Sequence, residues 1–320
     1  MAHRRTPGKR VAVAMMPIAL LILLAVGSVT VWLGRSITRP LQGAYLVTPQ
    51  TFSQLSGPVL KATDETWPNR DGTESRGWLL RGTPGAPAVI LYHRFGADRS
   101  WLLNLSVKIN EATNFTVLWP DLRGHGLDPP VKWSSFGTYE ADDVSAAIDF
   151  VRSLKAPGGA AQVGDKIGLY GVELGAYAVL AAAERHPEVR ALVLDSVPSG
   201  PDDLLDSAAG SSLGTNNVLL RRLARVGVRI YFMGKYRNTP SCQLAASFPK
   251  KHVLLISGED AGYLRDSTTQ LQGCFGAAAL EAKTDLPLTG LNLPSATGQV
   301  GEGYDRVVID FFDKALRGGP

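Results

Sequence analysis

The first feature of the hydrophobic pattern is the run Val11–Gly34, which contains no charged side chain. A helix of this length spans about 36 Å, enough to cross the roughly 30 Å hydrocarbon core of a bilayer. Four basic residues precede the run, and two follow it closely: Arg4, Arg5, Lys9 and Arg10, then Arg35 and Arg39. This excess of positive charge predicts a transmembrane signal anchor with a cytoplasmic N-terminus and an extracytoplasmic main domain. The alternative is a cleaved signal peptide, although the run exceeds the usual apolar length and ends without a clear small-residue cleavage site.

Further along the chain, short apolar runs alternate with helical periods. Asp71 and Gly72 form a hairpin turn signal, which predicts two antiparallel strands. Continuous apolar runs, typical of strands buried on both faces, lie at Ala86–Tyr92, Phe115–Trp119, Ile167–Tyr170, Ala191–Leu194 and Val253–Ile256. Helical stretches lie at Trp101–Ile109, Tyr139–Leu154, Ala176–Arg185 and Tyr304–Leu316. Strands that alternate with helices predict βαβ units and a mostly parallel sheet.

Residues 197–250 interrupt this alternation and predict a lid inserted between two strands. A helical spacing within it places four apolar residues on one face, with arginines between them: Leu219, Leu223, Val226 and Ile230. The stretch from Ser207 to Gly258 holds eight Lys or Arg residues and no Asp or Glu. This basic helix either faces solvent or contacts anionic lipid headgroups, where each basic residue contributes about 1 kcal/mol.

Composition supports one large folded domain and excludes one class of partner. The 320 residues are 45% apolar and 19% charged, which is typical of a globular chain. The net charge of +4 comes from the four basic residues before the apolar run, so the rest of the chain is balanced. A nucleic-acid-binding domain carries a basic face of its own, so we expect no nucleic acid partner. The predicted organisation is a cytoplasmic tail at 1–10, the anchor at 11–34, a polar linker at 35–58 and the folded domain at 59–320.

The chain has two cysteines, Cys242 and Cys274. In an oxidising compartment a disulfide between them would close a loop of about 30 residues and contribute on the order of 3 kcal/mol. The alternative is two separate buried thiols, because sequence does not show whether the two Cα atoms come within bridging distance.

Four motifs stand in chain order at the ends of predicted strands or the starts of predicted helices: Tyr92–Arg99 (YHRFGADR), Trp119–Gly126 (WPDLRGHG), Tyr139–Val144 (YEADDV) and Gly171–Gly175 (GVELG). The last has the strand–turn–helix context of a nucleophile elbow, G-x-S-x-G. Together the motifs resemble those of the α/β-hydrolase family. The similarity is closest to serine esterases and peptidase-like members with an HG-x-G-A-D-R oxyanion loop and a D-x-R-G-H-G turn. The resemblance covers about residues 60–316.

This resemblance implies an α/β fold with a mostly parallel eight-stranded sheet flanked by helices and a small lid insertion. The site is expected at the carboxyl ends of the strands, with no cofactor and no metal. The family mechanism needs a serine on the elbow, an acid after a later strand and a histidine after the last strand.

Glu173 occupies the serine position of the elbow. A carboxylate can act as a nucleophile, but its covalent intermediate then needs a histidine-activated water. The elbow directs this side chain towards the oxyanion-hole N–H groups, which the resemblance assigns to Phe95 and Leu174, and towards the N-terminus of the next helix. We therefore expect the Glu173 carboxylate to satisfy the former oxyanion hole; the alternative is a side chain turned to solvent. Arg94 replaces the glycine that the family pattern has after His93, which restricts this loop.

The histidine position lacks a histidine. The chain has five: His3, His93, His125, His186 and His252. Gln299, before the last helix, is the expected occupant, and a glutamine cannot act as a general base near neutral pH. The acid position falls on Ala261 or, with a one-residue deletion, on Asp260, and Asp195 is a further alternative. The histidines of the oxyanion loop and of the D-x-R-G-H-G turn are expected to stabilise those turns.

These departures predict a membrane-anchored, catalytically inactive α/β-hydrolase-like protein with a binding or scaffolding role. Its partners would be the bilayer, through residues 11–34, and an unidentified small ligand or protein. The alternative is a membrane-anchored hydrolase of ester or amide bonds with a non-standard site. Such a site would use a loop serine with His93 as the base, and the candidates are Ser134, Ser135, Ser257 and Ser295. Nothing in their spacing favours this alternative.

Overall fold

The computed structural model describes residues 7–56, 60–215, 217–248, 251–276, 278–295 and 298–318. Its largest feature is an eight-stranded sheet in the order β1-β2-β4-β3-β5-β6-β7-β8. The strands are β1 Thr63–Pro68, β2 Glu74–Leu80, β3 Ala86–Tyr92, β4 Thr116–Pro120, β5 Val163–Val172, β6 Val189–Asp195, β7 His252–Gly258 and β8 Ala279–Leu286. Strand β2 pairs antiparallel with β1 and β4, and the pairs from β4 to β8 are parallel.

Helices cover the sheet, which is why its central strands are apolar on both faces. The α-helices are α1 Pro7–Ile37, α2 Pro49–Ser56, α3 Leu103–Thr113, α4 Glu140–Ser153, α5 Leu174–Ala183, α6 Pro201–Leu213, α7 Val218–Tyr231, α8 Ser241–Ala245, α9 Tyr263–Leu271 and α10 Gly298–Arg317. Helix α3 packs against α10, and α4 packs against α5. Residues 88–91 of β3 are fully buried, as expected for a strand that is covered on both faces.

The predicted α/β fold and its mostly parallel eight-stranded sheet are confirmed, and so is the hairpin at Asp71 and Gly72. The hairpin joins β1 to β2, and Gly72 has the positive φ of 81° that the turn requires. The hydrophobic pattern did not locate β8. This edge strand carries Glu281, Lys283 and Asp285 and is mostly exposed, so it has no continuous apolar run.

The segment predicted as an irregular linker, 35–58, has local structure. Helix α1 extends into it as far as Ile37, and α2 lies within it. The Thr48 hydroxyl accepts a hydrogen bond from the Thr51 N–H at 3.2 Å, which caps the start of α2. The Tyr45 hydroxyl donates to Asp121 at 2.7 Å. Tyr45 therefore fastens its part of the segment to the residues that follow β4, and residues 57 and 58 lie outside the described residues.

The chain divides into two compact units. The smaller unit consists of the described residues up to Thr38 together with Leu205–Tyr236, and the larger one holds the sheet. Within the smaller unit, α1 packs against α7 at a contact between glycines. A Cβ on Gly227 would lie 2.1 Å from the carbonyl oxygen of Thr30, and one on Gly34 would lie 2.4 Å from the carbonyl carbon of Gly227.

One helix in the described part of the chain is long and apolar enough to cross a membrane, at Ala14–Ile37. A signal sequence near an N-terminus passes the same test. Residues 1–6 of the predicted cytoplasmic tail, including His3, lie outside the described residues.

The predicted lid at 197–250 contains α6, α7 and α8, and its residues 249 and 250 lie outside the described residues. Cys242 and Cys274 form a disulfide with their Cα atoms 5.2 Å apart. The bond joins α8 to the short 3-10 turn after α9 and closes a loop with a sequence separation of 32.

Candidate functional site

The turn between β5 and α5 has the tight backbone of a nucleophile elbow. Glu173 joins the two elements with φ 50° and ψ −105°. Such backbone angles are costly for a residue with a side chain, and strain of this kind concentrates at functional sites. The flanking glycines are required by space: a Cβ on Gly171 would lie 2.4 Å from the carbonyl carbon of Gly175, and one on Gly175 would lie 2.6 Å from the Tyr92 carbonyl oxygen. This turn holds residue 173 at the carboxyl edge of the parallel sheet.

The Glu173 side chain turns towards the loop that follows β3. Its Oε2 accepts a hydrogen bond from the backbone N–H of Phe95 at 3.0 Å. Among the described residues it makes no capping hydrogen bond to the first turn of α5, which begins at Leu174. The expected contact with Phe95 is therefore present, whereas no capping hydrogen bond to the helix N-terminus is formed within the described residues. The elbow directs the carboxylate across to the neighbouring loop instead of along its own helix.

Burial raises the pKa of the Glu173 carboxyl group from 4.5 to about 7. The charge of Arg94 and the hydrogen bond from Phe95 act in the opposite direction. These two interactions do not cancel the cost of burying the anion. The group therefore exchanges its proton near neutral pH. In its ionised form it places negative charge beside the Phe95 N–H, where acyl-transfer enzymes stabilise an oxyanion.

Arg94 connects the oxyanion loop to the segment after β8. Its Nε donates to the Leu291 carbonyl at 3.1 Å, and its Nη1 donates to the Phe95 carbonyl at 3.1 Å. Its guanidinium group lies 4.6 Å from the centre of the Trp101 ring, which is within the range of a cation–π interaction. Arg94 does not have a positive φ, so its side chain replaces the expected glycine without backbone strain. The substitution still leaves the Phe95 N–H directed at Glu173.

Asp260, one of the candidates for the acid position, follows β7 and accepts hydrogen bonds from the segment after β8. Its Oδ2 accepts hydrogen bonds from the Asn292 side-chain amide at 2.7 Å and from the Thr289 backbone N–H at 3.2 Å. Gln299 instead lies exposed in the first turn of α10 and has no hydrogen bond with Asp260 in the described part of the chain. Asn292 thus has the acid contact that orients a catalytic histidine. Sequence reasoning missed Asn292 because the strand before it was not located.

Asp195, the alternative acid, is buried and held by several donors. Its Oδ2 accepts hydrogen bonds from the Tyr304 hydroxyl at 2.6 Å and the Gly290 N–H at 2.7 Å, and its Oδ1 accepts one from the Ser196 hydroxyl at 2.7 Å. Burial raises its pKa to about 6. These bonds fasten the loop after β8 to β6 and α10, so they give Asp195 a structural role.

Comparisons with known proteins agree with this geometry. Residues 87–248, half of the chain, match the alpha/beta hydrolase fold. The chain belongs to the α/β-hydrolase fold family. No curated protein matches this α/β-hydrolase chain by sequence.

Several solved esterases are similar to the α/β-hydrolase chain in fold. An esterase from Pyrococcus furiosus has a TM-score of 0.62 and 17% identity, with 87% of this chain and 98% of that chain covered. A thermophilic esterase from Thermogutta terrifontis has a TM-score of 0.52 and 16% identity, with 80% and 100% covered. A hyperthermophilic esterase from the archaeon Pyrobaculum calidifontis has a TM-score of 0.52 and 16% identity, with 92% of each chain covered. At these identities the similarity shows the fold alone.

The α/β-hydrolase mechanism needs a histidine with an available nitrogen, and the two loop histidines use both of theirs on the backbone. His93 pairs through Nδ1 with a carbonyl at 2.8 Å and accepts through Nε2 from an N–H at 3.0 Å. His125 pairs through Nδ1 with the Arg123 carbonyl at 2.9 Å and accepts through Nε2 from the Gly96 N–H at 3.0 Å. Burial holds the pKa of His93 well below its usual range and lowers that of His125 to about 4. Both therefore stabilise their turns as neutral rings.

The remaining described histidines lie away from the elbow. His252 begins β7, and His186 lies just before β6. These are the amino ends of parallel strands, whereas Glu173 lies at a carboxyl end. Neither ring is therefore placed to act as a general base at Glu173.

The loop serines do not form a second site around His93. Ser134 donates to Glu140 at 2.7 Å, and the Ser135 hydroxyl also bonds this carboxylate. Ser257 Oγ is buried and has no hydrogen-bond partner among the described residues, and Ser295 is exposed. Within the described residues, no group of three or more His, Cys, Asp or Glu side chains is arranged to hold a metal ion.

Proposed function

We propose that this chain is a membrane-anchored α/β-hydrolase-like protein that does not hydrolyse esters or amides and acts by binding a ligand or partner. The observation that carries the proposal is the hydrogen bond from the Phe95 N–H to the Glu173 carboxylate. In acyl-transfer enzymes such a donor stabilises the oxyanion of the tetrahedral intermediate. Here the chain's own carboxyl group takes this donor, and no hydroxyl stands on the elbow to attack a carbonyl carbon.

The state of the histidines supports the same proposal. A carboxylate nucleophile at residue 173 would need a base to activate water against its covalent intermediate. His93 and His125 have both ring nitrogens engaged, and Asn292 makes the acid contact without a basic nitrogen. Removal of the serine or the histidine of a triad lowers kcat by about 10⁶-fold. Since this chain lacks both, we expect no measurable turnover.

The proposed anchor is the apolar run 11–34, with the N-terminus in the cytoplasm and the sheet outside. Two observations support this arrangement. The first is the length and apolar character of α1. The second is the disulfide between Cys242 and Cys274, because disulfides persist in oxidising compartments outside the cytoplasm.

Activity is tested on the full chain in detergent micelles, with acetyl and butyryl p-nitrophenyl esters as substrates and a fluorophosphonate probe for serine labelling. We expect hydrolysis at the rate of the detergent blank and no labelling. The matched control is Glu173→Ala. Turnover that this variant loses would identify a carboxylate nucleophile, and turnover that it keeps would identify a site elsewhere. Either result refutes the proposed inactivity.

Anchoring is tested separately by extraction of membranes with alkaline carbonate and by protease protection of the intact cell. We expect the full-length chain to stay in the pellet and the larger unit to be digested from the outside. A soluble, shortened chain would instead establish a cleaved signal peptide. Protection of the larger unit would reverse the proposed orientation.

A further inference from the structure

Helix α7 exposes three of the four apolar residues that the helical spacing of its sequence places on one face. Leu219, Val226 and Ile230 are 65%, 47% and 52% exposed. At about 100° per residue, the three side chains lie within about 40° of one another around the helix. Met233, just beyond the helix, is 88% exposed. A contiguous exposed apolar face of this kind marks a contact with a membrane or a protein.

The face that α7 does bury is made of small residues and packs on α1. Ala224, Gly227 and Val228 are buried, and Gly227 approaches Thr30 and Gly34 so closely that neither glycine position has room for a Cβ. Among residues 14–37 of α1, the buried ones lie in the last two turns. The contact therefore fixes α7 beside the C-terminal end of the helix that is long enough to span a bilayer.

The level of this contact along α1 coincides with the expected edge of the hydrocarbon core. Trp32 lies between the two contact residues of α1 and is 60% exposed, and Arg35 follows one turn later. Exposed tryptophans of spanning helices are enriched at the membrane–water boundary, and basic residues follow at the headgroups. Gly227, which touches Thr30 and Gly34, lies at the same level.

The arginines of α7 form a third side of the helix, between the buried face and the exposed apolar face. At about 100° per residue, they occupy an arc of roughly 100°, and they are Arg221, Arg222, Arg225 and Arg229. Arg225 pairs with Asp206 at 2.5 Å. An apolar face beside an arginine-rich face is typical of helices that lie in the plane of a membrane interface. The helix on which α7 packs also exposes large apolar side chains, among them Leu21, Leu24 and Trp32, which favours lipid over a protein as the cover of both helices.

We propose that α7 lies in the interface of the bilayer that α1 spans, with Leu219, Val226 and Ile230 among the acyl chains and the exposed Arg222 at anionic phospholipid headgroups. This inference rests on the membrane anchor of the proposed function and adds a second lipid contact to it. The exposed face is then covered, and residues 218–231 form a lipid-binding surface that responds to the anionic lipid content of the membrane.

The test places a fluorescent NBD label at single introduced cysteines of the full chain in vesicles. The two native cysteines are bonded to each other, so the introduced thiol is the one labelled. The three sites are Val226→Cys on α7, Ile22→Cys on α1, and Leu127→Cys, a matched exposed apolar position in the larger unit. The vesicles are phosphatidylcholine with or without phosphatidylglycerol, and a small fraction of the lipids carries a nitroxide quencher near the headgroup.

We expect the label at 226 to be blue-shifted and quenched by the nitroxide lipids, and the label at 127 to remain aqueous. Leu219→Asp with Ile230→Asp should lower the ratio of docked to undocked α7 by about 100-fold or more, since each change removes a buried apolar side chain. Arg222→Gln should lower that ratio about fivefold in vesicles with phosphatidylglycerol and leave it unchanged in phosphatidylcholine alone. Unaltered near-ultraviolet circular dichroism shows that the variants remain folded.

Three outcomes would overturn the inference. An aqueous label at 226 together with a blue-shifted label at 22 would leave the anchor in place and refute the contact of α7. A label at 226 that is blue-shifted but not quenched by nitroxide lipids would show that protein, such as a second copy of the chain, covers the face. Aqueous labels at both positions would refute the membrane anchor of the proposed function and the contact of α7 with it.

Discussion

The protonation of Glu173 gives a quantitative test of the site, through the substitution Glu173→Gln. The amide has the same shape as the carboxyl group, and its oxygen can still accept the hydrogen bond from the Phe95 N–H, which is 3.0 Å long in the native chain. The change therefore removes the titration and keeps the contact. Any difference in pH dependence between the two proteins then reports the ionisation of residue 173.

The size of the effect on folding stability follows from the raised pKa of Glu173. Burial moves the pKa of Glu173 from 4.5 to about 7, and that difference corresponds to about 3 kcal/mol of folding free energy. Because the folded state holds this proton more tightly than the unfolded state does, the native chain loses stability as the pH rises from about 4.5 to about 7. Above that range the loss is complete. The variant should therefore gain about 3 kcal/mol relative to the native chain between pH 4 and pH 8.

The assay is urea unfolding of the full chain in detergent micelles at a series of pH values, followed by circular dichroism. Burial also raises the pKa of Asp121 and Asp195 to about 6 and that of Asp143 to about 7. These groups titrate in the same window, but they are present in both proteins and cancel in the difference. Parallel stability curves would refute the buried, single-donor environment described for Glu173. So would a native chain that gains stability over the variant as the pH rises.

Two further predictions concern the missing base and the disulfide. Glu173→Ser alone should give no activity, whereas adding Asn292→His should speed ester hydrolysis about 10²-fold over the single variant, which is the lower range for a general base. The double variant Glu173→Ser with Gln299→His should be no more active than Glu173→Ser alone. A gain in activity would instead show that residue 299 occupies the histidine position. Cys242→Ser should lower the free energy of unfolding by about 3 kcal/mol, and dithiothreitol should then have no further effect on it. A native chain insensitive to dithiothreitol would contradict the bond to Cys274.

The sheet was predictable where burial on both faces forces a continuous apolar run, as in β3 with its fully buried residues 88–91. The edge strand β8 was not, because Glu281, Lys283 and Asp285 face solvent there and interrupt the run. Because β8 was not located, the residues of the site that follow it were also misassigned. Without β8 the sequence offers no reference point for the loop that follows it. The pattern therefore predicts Gln299 at the histidine position, whereas the residue that bonds Asp260 is Asn292.

Helix α7 shows a different limit of sequence reasoning. The spacing correctly predicts that Leu219, Val226 and Ile230 share a face, because helical periodicity alone decides this. It does not predict that the packed face is the one with Ala224 and Gly227. Periodicity gives weight to large apolar side chains, whereas this contact depends on the absence of side chains where two backbones meet. The partner helix lies about 190 residues earlier in the chain, beyond the reach of any local pattern.

The elbow was predicted as a turn, and its contact with the Phe95 N–H was expected, but its electrostatics were not. The expectation assumed two backbone donors and a helix N-terminus around the Glu173 carboxylate, an environment that lowers the pKa of a carboxyl group. With one donor the balance reverses, because a single hydrogen bond does not offset burial, and the pKa rises to about 7. Glu173 is therefore a partial anion at neutral pH, a weaker mimic of the oxyanion than a fully charged carboxylate would be. The proposed inactivity thus depends less on the charge at residue 173 than on two absences among the described residues, that of a hydroxyl at residue 173 and that of a basic nitrogen bonded to Asp260. These two absences arise from different segments of the chain, so a single substitution at the elbow cannot restore catalysis.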